Sequence, residues 1–261
     1  MKTLAKESKE IVGYVIIGTC LFVFCTLIVS ALALKGEDYD PDTLCLDTVD
    51  AHTIIVLDRT DSFSENQQRF IPNFINQKKN KLETFEKFSI FTLTENTYVN
   101  PDPIFSKCNP GTGKTANKLY QNPRKIQLRF DSFFSKPLKD DMNNMLLDNT
   151  GSKSPIFEII RELSLRDDFN NDIPKRTLII ISDLMHHTSK FSHYKNKNSY
   201  KYFSNKSYAY EVGASLNAVN VKIIYLLRDK LVRFQGKRHL SFWKDYFKDM
   251  GAEVTEVRNV R

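Results

Sequence analysis

Two stretches of this sequence bring together residues that could do chemistry. The first is CNPGTGKT, residues 108 to 115. Gly113, Lys114 and Thr115 fit the end of the phosphate-cradling pattern G-x-x-x-x-G-K-[ST], but Cys108 stands where the first glycine belongs. The second is a set of acids and hydroxyls. Asp58, Thr60 and Ser62 follow the apolar run TIIVL at 53 to 57, and Asp183 closes the run TLIIIS at 177 to 182. An acid with hydroxyls two and four residues on can turn three oxygens toward one point in a tight loop. Mg2+ is a hard ion that takes oxygen ligands at about 2.0–2.1 Å. Asp183 therefore has two readings: magnesium partner of a nucleotide loop, or member of one site with Asp58.

The elements that would position these residues follow from apolar patterning. Short β-branched runs at 53 to 58, 87 to 94, 175 to 183 and 221 to 228 read as buried strands, and 252 to 257 as a last one. A further short strand is expected near 97 to 106. Helical spacing appears over 64 to 77, 124 to 147 with a break near Pro137, 154 to 165, and 239 to 250, which Gly251 ends. This alternation predicts an α/β fold: a doubly wound, mostly parallel, Rossmann-like sheet with helices on both faces. Ligands in such sheets sit beyond the carboxyl ends of the strands, near a switch in strand order, and two of these strands end in Asp58 and Asp183.

Residues 11 to 34 carry no charge and are long enough, at about 1.5 Å per residue, to cross a hydrocarbon core of about 30 Å. A secretory signal has a shorter apolar region, about 7–15 residues, although Ala31-Leu32-Ala33 resembles a cleavage site. Lys2, Lys6 and Lys9 precede the span; Lys35 and the acids Glu37, Asp38, Asp40 and Asp42 follow it. This bias predicts a single pass through the inner membrane, with residues 1 to 10 cytoplasmic and the soluble domain in the periplasm. Residues 35 to 50 read as a linker and 51 to 261 as one domain. With 41% hydrophobic residues the chain can build a core, and its net charge of +7 permits acidic partners, nucleic acid or anionic lipid without naming one.

The stretch IIVLDRTDS resembles the D-x-[ST]-x-S start of the metal-ion-dependent adhesion site of von Willebrand factor type A domains. In that family a hydroxyl from a later loop and an acid after the fourth strand complete the site. Here Ser154, in GSKSPIFEII, and Asp183, in IIISD, stand in those positions. The resemblance covers residues 50 to 258 in order and spacing. It departs from the usual pattern at Thr60, which replaces the commoner Ser, and at Ser154, which replaces the commoner Thr; both keep a hydroxyl. It implies Mg2+ held by Asp58, Thr60, Ser62, Ser154 and Asp183, and a partner protein that offers an acidic side chain to the metal. Asp61 is an outer-shell candidate, or else the cap of the following helix. Family topology also implies an antiparallel third strand whose far end carries Cys108. Cys45, before the first strand, would lie at that end within disulfide reach. In the span, Cys20 and Cys25 read as small apolar residues.

Other readings weigh less. A nucleotide loop follows a buried strand and opens a helix, whereas Pro101, Pro103 and Pro110 crowd its approach and Pro123 stops any helix that follows. A periplasmic domain would also meet no ATP. Residues 186 to 211 mix lysines with aromatics, a pattern that suits single-stranded nucleic acid, yet a long solvated loop and helix start is the favoured reading, and their lysines and tyrosines suit a protein partner. His186 and His187, with His193 nearby, follow Asp183; zinc wants three or four ligands in a fixed geometry, and adjacent histidines on a loop read as solvated. The sequence thus predicts a membrane-anchored binding module rather than an enzyme. A structural scaffold with a lost metal site and an ATPase built on CNPGTGKT are the alternatives.

Overall fold

The computed structural model describes residues 2–33, 38–117, 121–146, 151–195 and 199–261, and the chain divides into two units, Met1–Asp38 and Tyr39–Arg261. The first unit is helix α1 (Lys2–Ala33). Its stretch Val12–Ser30 has a mean hydropathy of 2.5, has no buried residue, and is long and apolar enough to cross a membrane once. The hydroxyls of Thr19 and Thr26 donate back to the carbonyls of Val15 and Val23, so these polar groups are satisfied within the helix, as lipid requires. Residue 34, the expected end of the span, lies outside the described residues.

The second unit is built on six strands: β1 (Ala51–Asp58), β2 (Lys87–Leu93), β3 (Phe105–Cys108), β4 (Lys175–Ser182), β5 (Asn220–Leu226) and β6 (Glu253–Val260). Their order across the sheet is β3-β2-β1-β4-β5-β6. All neighbours are parallel except the β2–β3 pair. The strand order switches at β1, with β2 on one side and β4 on the other. The α/β class read from the sequence is the one observed.

Side-chain alternation explains why helices cover both faces. On β1, Ile54 and Val56 point to one face while Ile55 and Leu57 point to the other. The first face is covered by α5 (Ile156–Ser164) and α8 (Lys237–Asp249), through Phe157, Ile160, Phe242 and Trp243. The second is covered by α2 (Glu65–Lys79), through Ile71, Phe74 and Ile75, and by α4 (Lys136–Met145), through Leu138 and Met145; α3 (Pro123–Arg129), with no buried residue, leads into it. The break expected near Pro137 is instead a widened π-helical turn at Phe130–Ser135, immediately before it. Proline cannot donate to the carbonyl four residues back, and the wider turn absorbs that defect while it buries Phe130 and Phe134.

Two expectations need correction. Residues 39 to 50, expected as part of a linker, belong to the compact unit, which begins at Tyr39, and Leu44 is buried in the second core. The segment after β4 is not a solvated loop. Phe191, His193, Phe203 and Tyr208 are buried against α5 and α8, with α6 (Tyr200–Ser204) and α7 (Ser207–Glu211) as its short helical turns. Aromatic packing there offsets the exposure that the lysines of the segment suggested.

Cys45 and Cys108 form a disulfide with a Cα separation of 4.8 Å. Cys108 ends β3 opposite Lys87, the first residue of β2. The bond therefore lies at the end of the sheet away from Asp58 and Asp183, where the family resemblance put it.

Candidate functional site

Asp58 ends β1, and Asp183 follows directly on β4. The strands are in register at Leu57 and Ile181, so Asp58 comes level with Ser182. Both acids are buried, with 4% and 3% of their surface exposed. The Oδ1 atom of Asp58 accepts from the Thr60 amide (3.0 Å) and hydroxyl (2.7 Å). Its Oδ2 accepts from Ser182 Oγ (2.6 Å) and Ser154 Oγ (3.5 Å). Ser154 arrives from the loop before α5 because its backbone exchanges two hydrogen bonds with His187, at 2.9 and 3.0 Å. The amide of Gly151 bonds the Thr60 carbonyl at 3.0 Å and closes the same loop onto the site.

Asp183 is set by a sharp turn. Leu184 adopts φ 60°, a left-handed conformation that bulky residues seldom take. Its carbonyl holds the turn by accepting from the His186 amide, from His239 Nε2 (3.1 Å) and from Trp243 Nε1 (3.0 Å). The Asp183 carboxylate accepts from the Met185 amide at 2.9 Å and pairs with Arg228 Nε at 3.3 Å.

Burial raises both acids. Asp183 is pushed up to about 7 by burial first and by the negative charge of Asp58 second, against the opposing pull of Arg228. Asp58 moves the same way, chiefly through burial, and the hydroxyls of Ser182 and Thr60 oppose the shift. Two buried carboxylates of like charge with a single guanidinium favour a further cation.

The structure thus gathers Asp58, Thr60, Ser154 and Asp183. Thr60 and Ser154 line a cavity of about 210 Å³ shared with Asp61, His187 and Tyr194. Ser62 is exposed and borders a neighbouring cavity of about 500 Å³ instead. Its carbonyl accepts from Arg228. Asp61 is exposed beside Thr60 and does not cap α2. Ser64 does so, in a capping box with Gln67.

Sequence reasoning missed Ser182 and Arg228. Ser182 precedes Asp183 and, at the end of a strand beside β1, its hydroxyl was legible. Arg228 lies two residues past the end of β5, so it too sits at the carboxyl end of an interior strand. Arg228 also donates to Gln67 Oε1 at 3.2 Å. Replacing it by Gln should destabilise the metal-free protein by roughly 2 kcal/mol, because buried Asp183 loses its counter-charge. Added Mg2+ should recover more stability in Arg228→Gln than in the wild type, as read by thermal unfolding.

The glycine loop is committed elsewhere. The Gly111 amide donates to Asn109 Oδ1 (3.1 Å), that of Thr112 to Thr115 Oγ1 (2.9 Å) and that of Gly113 to Gln127 Oε1 (3.0 Å). It follows edge strand β3, at the end of the sheet opposite Asp183. The histidines are not solvated either: His186 and His193 have no exposed surface, and only His187 is partly open. Among the described residues, no group of three or more His, Cys, Asp or Glu is arranged to hold a metal. A site here would rest on two carboxylates supplemented by hydroxyls, an all-oxygen set that fits Mg2+.

No family model matches the chain. No curated protein matches it. Among solved structures, it is similar to the crystal structure of the conserved hypothetical protein BatB from Bacteroides thetaiotaomicron, at 12% identity and a TM-score of 0.35, over 80% of this chain and 90% of that one. At that score the likeness carries no argument about function.

Proposed function

We propose that this chain is a membrane-anchored, von Willebrand A-like binding module. Its site at Asp58, Thr60, Ser154 and Asp183, with Ser62 at the rim, holds Mg2+ and through it an acidic side chain of a partner protein within a larger assembly. The carrying observation is the buried pair Asp58 and Asp183, ringed by hydroxyls at the switch in strand order and opening on a cavity. The ion would supply the charge that joins these carboxylates to a third. The residues of the chain fix where that third carboxylate enters, and the work is recognition rather than turnover. The lysines ahead of the apolar stretch Val12–Ser30 support an inner-membrane anchor with the domain in the periplasm. The commitment of the Gly111, Thr112 and Gly113 amides to side chains of the chain supports a structural rather than a nucleotide-binding role for residues 108 to 115.

The ion pair of Asp183 with Arg228 favours a second reading, a scaffold in which the arginine replaces the metal. Thermal unfolding of the full chain in detergent separates the two. A hundredfold excess of Mg2+ over its Kd should stabilise the wild type by about 2.7 kcal/mol. Asp58→Ala should abolish the effect and Lys114→Ala should leave it. A wild type indifferent to Mg2+ would leave the scaffold.

A further inference from the structure

A cavity of about 560 Å³ lies beside the site, lined by Lys195, Arg233, Lys237 and Arg238 together with Tyr194 and Gln235. Tyr194 also lines the cavity of Thr60 and Ser154 and the one that Ser62 borders, so the three hollows converge on one side chain. Gln235 joins the basic wall to the site, since its Nε2 donates to the Asp183 carbonyl at 3.3 Å and to the Leu226 carbonyl at 2.8 Å. Some surface cations elsewhere on the domain are matched, as are Lys190 with Glu211, Lys175 with Glu83 and Arg261 with Asp229. Among the described residues, none of the four cations lining this cavity forms a salt bridge. The first turn of α8, at the same wall, has no side-chain cap on Gly236 and adds the positive end of its dipole.

We infer that this basic cavity is the docking surface for an acidic segment of the partner protein, in which a run of Asp or Glu enters the cavity beside the one carboxylate that reaches Asp58 and Asp183. This deepens the function proposed above and rests on it for the identity of the partner. Charge complementarity is the argument. Four unmatched cations around one hollow repel each other in the free protein, and a polyanionic segment removes that repulsion while it gains several contacts. A single carboxylate on a metal would have little selectivity among acidic proteins; a second, spatially fixed requirement supplies it.

The test uses the full chain in a non-ionic detergent and a fluorescein-labelled hexaglutamate peptide, with binding read by anisotropy in EDTA and in Mg2+. The double variant Lys237→Glu/Arg238→Glu should weaken binding about tenfold or more in both conditions. Lys244→Glu/Lys248→Glu, on the same helix and with the same charge change, should weaken it less than about threefold. Fluorescence of the single tryptophan, Trp243, reports that both variants are folded. Equal losses in the two variants would overturn the inference, because binding would then follow net charge alone. Binding to phosphatidylglycerol vesicles lost in the cavity variant, without peptide binding, would overturn it in favour of a lipid surface. The two proposals fail separately. A cavity effect in EDTA with no gain from Mg2+ keeps the cavity and removes the metal. A gain from Mg2+ that Asp58→Ala abolishes, with an unaltered cavity variant, does the reverse.

Discussion

Acidification from about pH 7 to about pH 4.5 is expected to remove most of the stability of the domain in an Asp183→Asn background. The reason is a set of histidines buried as neutral rings. His52 is lowered to about 4 by burial; its Nδ1 lies 2.6 Å from the Asp168 carbonyl and its Nε2 lies 2.8 Å from Ser89 Oγ. A carbonyl only accepts, so Nδ1 carries the proton and Nε2 accepts from the serine, which fixes the neutral tautomer. His239 is likewise lowered to about 4 by burial, with its Nδ1 at 2.7 Å from the Tyr225 hydroxyl and its Nε2 donating to Leu184. His186 and His193 are also held well below the ordinary imidazole range, again by burial first.

The sign is that of a depressed folded value. The stabilising contribution is complete above the unfolded value of about 6.5 and is lost as pH falls toward about 4. His52 and His239 each contribute roughly 2–3 kcal/mol across that window, against a typical total of about 5–15. Asp183 acts in the opposite sense. Its raised value costs stability as pH climbs from about 4 through about 7, so acidification relieves that cost, and Asp183→Asn removes the offset. Trp243 emission during urea unfolding reads the profile, because its indole shares the Leu184 carbonyl with His239. A flat profile between about pH 6.5 and pH 4.5 would refute the account.

These histidines mark where sequence reading stopped. The strands were legible because their β-branched runs are continuous and their alternation is only of faces. Asp58, Thr60, Ser154 and Asp183 were legible because each is fixed by the end of a strand or by a loop that such an end anchors. The burial of His186 and His193 was not, because it depends on Phe157 and Phe242 arriving from distant elements to pack against them. Arg228 was hidden for a related reason: a lone cation after a strand acquires meaning only once the strand order places it beside β4. Ser62 shows the converse. Spacing and the family resemblance together admitted it to the ligand set, whereas in the structure the chain turns toward the Ser64 cap and leaves Ser62 exposed beside a neighbouring cavity.

Loss of the bond between Cys45 and Cys108 is expected to cost about 2–4 kcal/mol, by constraint of the unfolded chain. The two half-cystines are 63 residues apart, and the loop between them holds β1, α2, β2 and β3. The bond also has local work. Cys108 accepts no strand partner beyond Lys87, and its amide donates instead to the Thr43 carbonyl at 2.8 Å, while Lys107 reaches the Asp42 carbonyl. The cross-link therefore holds residues 39 to 45 against the edge of the sheet, where Tyr39 and Leu44 join the core. In Cys45→Ser/Cys108→Ser this end should fray first, so hydrogen exchange should quicken in β3 before it quickens in β1 or β4. A bond of this kind persists in an oxidising compartment and is rare in cytosol, so the same measurement bears on which side of the membrane the domain occupies. Cys20 and Cys25 in α1 are free and serve as an internal standard. Protein extracted under denaturing conditions with a thiol-blocking reagent should show those two thiols before reduction and all four cysteines after it. Four before reduction would place the domain on the reducing side and remove both the stabilisation and the periplasmic orientation together.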